Sequence, residues 1–379
     1  MKLRKLGKTD LQVSEVGLGC TYMRNMSVEL LTTMFEKAMA AGVNFFDCCI
    51  ANPVDRKNIG AAIAGKREKL IIQGHIGCDM ENDQQARTQD LARAKAHMDN
   101  LLESLNTDYI DIAMLHCIDQ YEEYESALAS GLIDYMLEQK AKGVFKYLGF
   151  SSHDTATATK MIASGNFDVV MFSINPLFDL VFNDMERFFS MPNDEAYPNT
   201  LNVDASRAAF YSYCEEQGVG ITVMKALAAG SLVDPNDTPF KQAMTSTQCI
   251  HYALNRPAVG SVLIGLKTEE QLDDALAYAT ATPEELDYTD ILHSVTGDVS
   301  IKCLYCNHCL PCTTRVDVGE VTRLVDLATS QGKTAELQEQ YNQLPVKASA
   351  CIECGLCVPR CPFAIDIITN MKKAQELFG

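Results

Sequence analysis

The sequence predicts an α/β chain in two parts. Residues 1–295 read as a (β/α)8 TIM barrel, and residues 296–379 as a small cysteine-rich module. Short apolar runs alternate with longer amphipathic ones through the first part. Eight such apolar runs within about 280 residues is the arithmetic of a TIM barrel. Beyond them, eight of the fifteen cysteines crowd into two tight runs.

In chain order, Lys2–Val13 reads as a hairpin that closes the bottom of the barrel. The strands are expected at Val16–Gly19, Val43–Phe46, Leu70–Ile72, Tyr109–Leu115, Lys146–Phe150, Val169–Ile174, Gly220–Met224 and Ser261–Ile264. Helical patterns fall between them at Leu30–Ala41, Gln89–Leu105, Ala156–Ala163, Ser206–Glu216 and Glu269–Ala279. An open, doubly wound sheet is the alternative. Its support is Gly17-x-Gly19 alone, with no third glycine at the spacing of a dinucleotide fingerprint.

The connection Asn175–Val203 is long and carries Phe178, Phe182, Phe188, Phe189 and Tyr197. Loops at the C-terminal ends of barrel strands shape active sites, so this one reads as a substrate lid. Ordinary packing of a long insertion is the alternative. Residues 280–300 link to the module, where Gly319–Ser330 and Thr334–Leu344 read as helices between the cysteine runs.

The second run, Cys351-x2-Cys354-x2-Cys357-x3-Cys361 followed by Pro362, has the bacterial ferredoxin spacing for a [4Fe–4S] cluster. The first, Cys303-x2-Cys306-x2-Cys309-x2-Cys312, is one residue tighter at its end. A short loop can wrap three thiolates around a cubane, while the fourth arrives from elsewhere. Two-cluster ferredoxins therefore exchange the last cysteine of each run. The expected ligand sets are Cys303, Cys306, Cys309 and Cys361 for one cluster, and Cys351, Cys354, Cys357 and Cys312 for the other. Structural zinc is the alternative, but it usually takes two separated pairs. Thr313 stands where the ferredoxin pattern has proline.

The formal charge is −18. From Thr296 onward there are 8 basic and 9 acidic residues, so the acidity belongs to the barrel, with 24 and 41. This argues against nucleic acid, which needs a basic footprint. No apolar stretch is long enough to span a membrane, and the opening MKLRKLGKTD lacks an apolar core. The expectation is a cytoplasmic protein. Cys20, Cys48, Cys49, Cys78, Cys117, Cys214 and Cys249 are scattered, which suits a reducing compartment. Oxygen-sensitive clusters suit an anaerobic or microaerobic host.

The barrel resembles the aldo-keto reductase family through Val16-Gly-Leu-Gly19, Asn44-Phe-Phe-Asp47, the run Asp108–His116, Leu148–His153, and Ser261–Gly265. The tail resembles that of an iron–sulfur subgroup of the family. The resemblance implies NADPH-dependent carbonyl reduction, in which a tyrosine acid is tuned by a lysine and an aspartate while a histidine orients the substrate. Asp47 and His116 fall at the aspartate and histidine positions. Gly60, thirteen residues after Asp47, matches the family glycine without a gap. The tyrosine position is then Asn52, and the lysine position His75.

Asparagine is not an acid, so another donor is expected. His75 titrates near neutrality and Asp47 can keep it protonated. Tyr22 also lies near the mouth, and Cys48 or Cys49 offers a thiol unless each is simply a small buried residue. For NADPH, the resemblance puts Ser151 and Ser152 at the nicotinamide, with Asn175 beside them. Met171 replaces a glutamine. Gly265 and Lys267 could cradle a phosphate, while Gln271 and Ala275 replace an arginine and an asparagine.

The leading expectation is an iron–sulfur oxidoreductase that reduces a small organic substrate, with electrons relayed by two [4Fe–4S] clusters from a ferredoxin or flavodoxin. An NADPH-dependent carbonyl reductase with an atypical donor is the second. A non-catalytic redox sensor or electron-transfer subunit is the third.

Overall fold

The computed structural model describes residues 1–180, 203–294 and 302–379. Eight parallel strands close into a barrel: β3 (Val16–Gly19), β4 (Phe45–Cys48), β5 (Ile71–Ile76), β8 (Ile110–Leu115), β9 (Phe145–Ser152), β10 (Val169–Ser173), β11 (Gly220–Met224) and β12 (Val259–Gly265). Val262 of β12 pairs with Val16 of β3, which closes the ring. The open sheet is thereby excluded. Each strand runs within a few residues of its sequence expectation. They were legible because strands of a parallel sheet are covered on both faces and read as unbroken apolar runs, as in Ile110-Asp-Ile-Ala-Met-Leu115.

The N-terminal hairpin, β1 (Leu3–Lys5) with β2 (Gln12–Ser14), closes the bottom of the barrel. Leu6, Leu11 and Val13 are buried there against the inward-facing Phe45, Ile112, Val169 and Leu263. Gly7 turns this segment at φ +53°, and a Cβ on it would lie 2.4 Å from the Gly220 nitrogen. Farther up, Gly60 sits in the helix Pro53–Ala62, where a Cβ would lie 1.8 Å from the Ser104 carbonyl oxygen of the helix Leu91–Leu105. The glycine therefore sets how closely the two helices pack.

The connection after β10 begins with the short helix Pro176–Asp179. Asp179 is fully buried and accepts from Arg207 Nε at 2.7 Å, Arg256 Nε at 3.0 Å, Tyr211 Oη at 2.6 Å and Tyr252 Oη at 3.2 Å. Two guanidinium groups and two phenols thus converge on one carboxylate and anchor the helices Ala205–Gln217 and Ser246–Leu254. The expected lid, with Phe182, Phe188, Phe189 and Tyr197, lies outside the described residues.

A second hairpin follows β5: β6 (Cys78–Glu81) pairs with β7 (Gln84–Arg87). Its turn, Asn82-Asp83, has φ of 51° and 63°, the backbone that Asn and Asp tolerate in two-residue hairpin turns. The expected link over residues 280–300 contains short helices at Pro283–Leu286 and Thr289–Leu292.

The cysteine-rich tail is built of loops and the helices Val318–Gln331, Ala335–Gln343 and Ile367–Phe378, with no strand among its described residues. Val321, Leu324, Val325, Tyr341, Met371 and Phe378 form an apolar cluster of their own. The tail caps the barrel mouth. Gln84 of the second hairpin donates to the Val316 carbonyl at 3.1 Å and accepts from the Cys312 amide at 2.8 Å. Phe363 stacks on Phe178 at 5.3 Å, and His308 lies edge-on to His116 and His153. Among the described residues, no helix is long and apolar enough to cross a membrane.

Candidate active site

Barrel strands alternate their side chains, and the C-terminal ends of β4 and β5 bring Asp47, Gln73 and His75 to the mouth. Asp47 Oδ1 accepts from Gln73 Nε2 at 2.8 Å and from His75 Nε2 at 2.9 Å. Thr222 Oγ1 donates to Gln73 Oε1 at 3.2 Å, which fixes the carboxamide with its nitrogen toward Asp47. His75 Nδ1 lies 2.9 Å from Nδ1 of His116, which follows β8. Asp47, His75 and His116 are thus joined as a chain of carboxylate and two imidazoles, and all three are buried.

Burial opposes charge on His75. The Cys49 sulfur and the Asp47 carboxylate outweigh it, and the ring is pushed up to about 10. Cys49 is itself held as a thiol, by its contact with Cys78 and by burial. Burial, and then the neighbouring His75, hold His116 well below the ordinary histidine value. One ring is charged and its neighbour is neutral. Cys49 Sγ also approaches His116 Nδ1 at 3.6 Å. Cys48 points away from this group and toward Cys20.

Two candidates do not join the group. Asn52 caps the helix Pro53–Ala62, and its Oδ1 accepts from the Val54 and Asp55 amides. Tyr22 packs on Gly265 beneath the Lys267 ammonium. Burial, and then Cys306, push Tyr22 up to about 12. It belongs to the seam between barrel and tail.

A second group was not legible as a site in the sequence. His153 follows β9 directly and is 3% exposed at its side chain. Its Nδ1 faces Asp119 Oδ1 at 3.0 Å and Oδ2 at 3.1 Å. Cys117 Sγ lies 3.5 Å from Asp119 Oδ2 and 3.5 Å from Arg87 Nη1. His308 approaches from the tail, with its ring 5.0 Å from that of His153. The only signal in the sequence was a histidine at a strand end and another between Cys306 and Cys309.

The model of the aldo/keto reductase family matches residues 15–249. The chain belongs to that family. Among curated relatives, the uncharacterized oxidoreductase YqkF of Bacillus subtilis is 26% identical over 301 residues, covering 76% of this chain and 94% of its own. L-Galactose dehydrogenase of Arabidopsis thaliana is 23% identical, covering 74% and 88%. The holo form of aldo-keto reductase AKR11C1 from Bacillus halodurans shares the fold. Its TM-score is 0.61 at 21% identity, over 79% of this chain and 99% of that one. This chain is thus an oxidoreductase of the aldo/keto reductase type.

The residues that family resemblance assigned to a nicotinamide nucleotide have other partners here. Ser151 Oγ accepts from the Cys117 amide at 2.7 Å. Ser152 Oγ donates toward Asp119 Oδ1 at 3.4 Å. Asn175 caps the helix Pro176–Asp179 and donates to the Lys225 carbonyl at 2.9 Å. The Lys267 amide, at the expected phosphate cradle, donates to Gln271 Oε1 at 2.7 Å. Gly265 is covered by Tyr22. Each of these groups is thus engaged within the chain.

The eight tail cysteines sort into two cavities. One is lined by Cys303, Cys306, Cys309 and Cys361. The other is lined by Cys312, Cys351, Cys354 and Cys357. None of the fifteen cysteines forms a disulfide. Burial pushes Cys303 up to about 12 and raises Cys309, Cys357 and Cys361, so thiolates there need a cationic group to offset their charge. The tail sulfurs are not among the groups whose donor atoms all lie within 4.8 Å of one another, the compactness a single ion demands. An open nest of four sulfurs in an apolar wall fits a cluster larger than one ion.

Proposed function

We propose that this chain is an iron–sulfur member of the aldo/keto reductase family, reducing a small organic substrate at the barrel mouth. Residues 1–295 would form the catalytic barrel and residues 296–379 a ferredoxin-like module. Cys303, Cys306, Cys309 and Cys361 would hold one [4Fe–4S] cluster. Cys351, Cys354, Cys357 and Cys312 would hold the other. Such clusters, when bound, supply electrons one at a time.

The observation that carries this proposal is the sorting of the cysteines. Each cavity draws three sulfurs from one run and the last from the other, which is the exchange that two-cluster ferredoxins make. Around the second run, Ile352, Leu356 and Val358 stand out as exposed apolar side chains, and Cys354 is exposed among them. An apolar patch beside a redox centre suits transient docking of a small electron carrier, a ferredoxin or flavodoxin.

The proton chemistry belongs to the barrel. Asn52 and His75 stand at the positions of the family tyrosine and lysine, so the usual acid is replaced. Asp47 holds a proton on His75, and His75 has both ring nitrogens engaged. His116 is therefore the residue that meets substrate. His75 passes the Nδ1 proton to His116 Nδ1, and His116 releases its Nε2 proton to the substrate. The sum is one proton delivered and His75 left neutral, to be recharged beside Asp47.

The test is metal and sulfide analysis of anaerobically purified protein. The expected content is about eight iron and eight sulfide per chain. Cys361→Ala should lose about half of each. Zinc in place of iron, with no sulfide, would overturn the proposal.

A further inference from the structure

We infer that Cys117, His153 and His308 form a mononuclear site for a divalent transition metal, zinc by donor set, at the seam between barrel mouth and tail. Their three donor atoms lie within 4.8 Å of one another. His153 Nε2 and His308 Nδ1 are buried and have no hydrogen-bond partner among the described residues. Buried ring nitrogens are rarely left so. Two of them meeting beside a buried thiol point to a missing ligand that accepts lone pairs.

The surroundings fit that ligand. His153 holds Asp119 with Nδ1, which fixes the tautomer whose Nε2 lone pair faces the site. A carboxylate behind a histidine is the usual outer support of a metal-bound imidazole. Arg87 Nη1 donates to the Cys117 carbonyl at 3.0 Å and reaches its sulfur at 3.5 Å. Burial, and then Asp119, hold Cys117 as a thiol, so a metal must displace its proton on binding. Cys117 sits at φ +52°, an uncommon backbone for a residue with a side chain. The Ser151 hydroxyl holds it there, where its Sγ meets the two imidazoles. One thiolate and two imidazoles suit zinc, and three protein ligands leave a fourth position for water or a substrate oxygen. The ring centre of His116 is 6.1 Å from that of His308. In the other compact groups, around Cys49 with His116 or His75, His75 has both nitrogens engaged and the His116 Nδ1 is engaged by His75.

Two ligands are on the barrel, and the third, His308, lies between Cys306 and Cys309 of the tail. The test loads anaerobic holoprotein with one equivalent of zinc chloride, then reads zinc by mass spectrometry and the zinc-edge X-ray absorption fine structure. About one zinc per chain is expected, in a shell of one sulfur and two nitrogens. Cys117→Ala, His153→Gln and His308→Ala should each lower retention at limiting zinc at least tenfold, with iron content unchanged. If His308→Ala disturbs the cysteine loop, loss of iron will show it, and His153→Gln then decides. A sulfur-only shell, equal retention by the variants, or no zinc retained would overturn the inference.

Discussion

Nδ1 of His75 lies 2.9 Å from Nδ1 of His116, while Nε2 of the same His75 ring lies 2.9 Å from Asp47. A ring held between a carboxylate and an imidazole lone pair donates from both nitrogens, as imidazolium. His116 makes no hydrogen bond at Nε2 among the described residues. The pair thus divides the labour of an acid: one ring stores the proton and the other delivers it.

That division sets the effect of each substitution. His75→Ala and His116→Gln should each lower turnover by about two to four orders of magnitude, the usual weight of general acid catalysis. Iron content should be unchanged in both. The assay is an anaerobic panel of small carbonyl compounds with chemically reduced protein. Full activity in His75→Ala would remove the histidine from the mechanism.

The same pair makes stability depend on pH. The folded value of His75, about 10, lies above the ordinary value of 6.5. Its contribution to stability is therefore complete below about pH 6.5 and fades as pH rises through about 10. Asp47→Asn removes the carboxylate's share of it, the Cys49 sulfur supplying the rest. The stability gap between wild type and Asp47→Asn should shrink as melting is followed from pH 6.5 to 10. A gap that stays constant or widens would contradict a charged His75.

Asp179 is a structural charge. Asp179→Asn leaves Arg207 and Arg256 buried against a neutral partner. Breaking one side of a buried ion pair costs about 3–5 kcal/mol. Denaturant unfolding should show a loss of that size. A change under about 1 kcal/mol would mean that solvent reaches the cluster.

Gly60→Ala tests the close approach of two barrel helices. Its Cβ would fall 1.8 Å from the Ser104 oxygen, so the helices must part. Overpacking of this kind costs about 1–3 kcal/mol. A variant as stable as wild type would show that the helix Leu91–Leu105 yields without cost.

Much of this was legible in the sequence, for physical reasons that vary by element. The barrel strands were readable because burial on both faces leaves unbroken apolar runs. Asp47, His75 and His116 were singled out by the family resemblance, and the strand ends that carry them bring them together on one rim. The second hairpin was missed because Cys78-Asp-Met-Glu81 and Gln84–Arg87 are short and polar, although Asn82-Asp83 marked its turn. Asn52 looked like a site residue by position, but an asparagine before Pro53 is also a helix cap, and that use prevailed. The group of Cys117, Asp119, His153 and His308 was invisible because its members come from three distant segments. Nothing along the chain signals that a loop between two cysteines will reach the barrel mouth.

The most direct test of a barrel supplied through its tail is anaerobic mixing of oxidised, cluster-loaded protein with NADPH, with NADH and with reduced ferredoxin, following the visible absorbance of the clusters. Bleaching by reduced ferredoxin, and none by either nucleotide, is the expected result. Rapid bleaching by NADPH or NADH, with none by ferredoxin, would contradict it and return the barrel to nicotinamide chemistry.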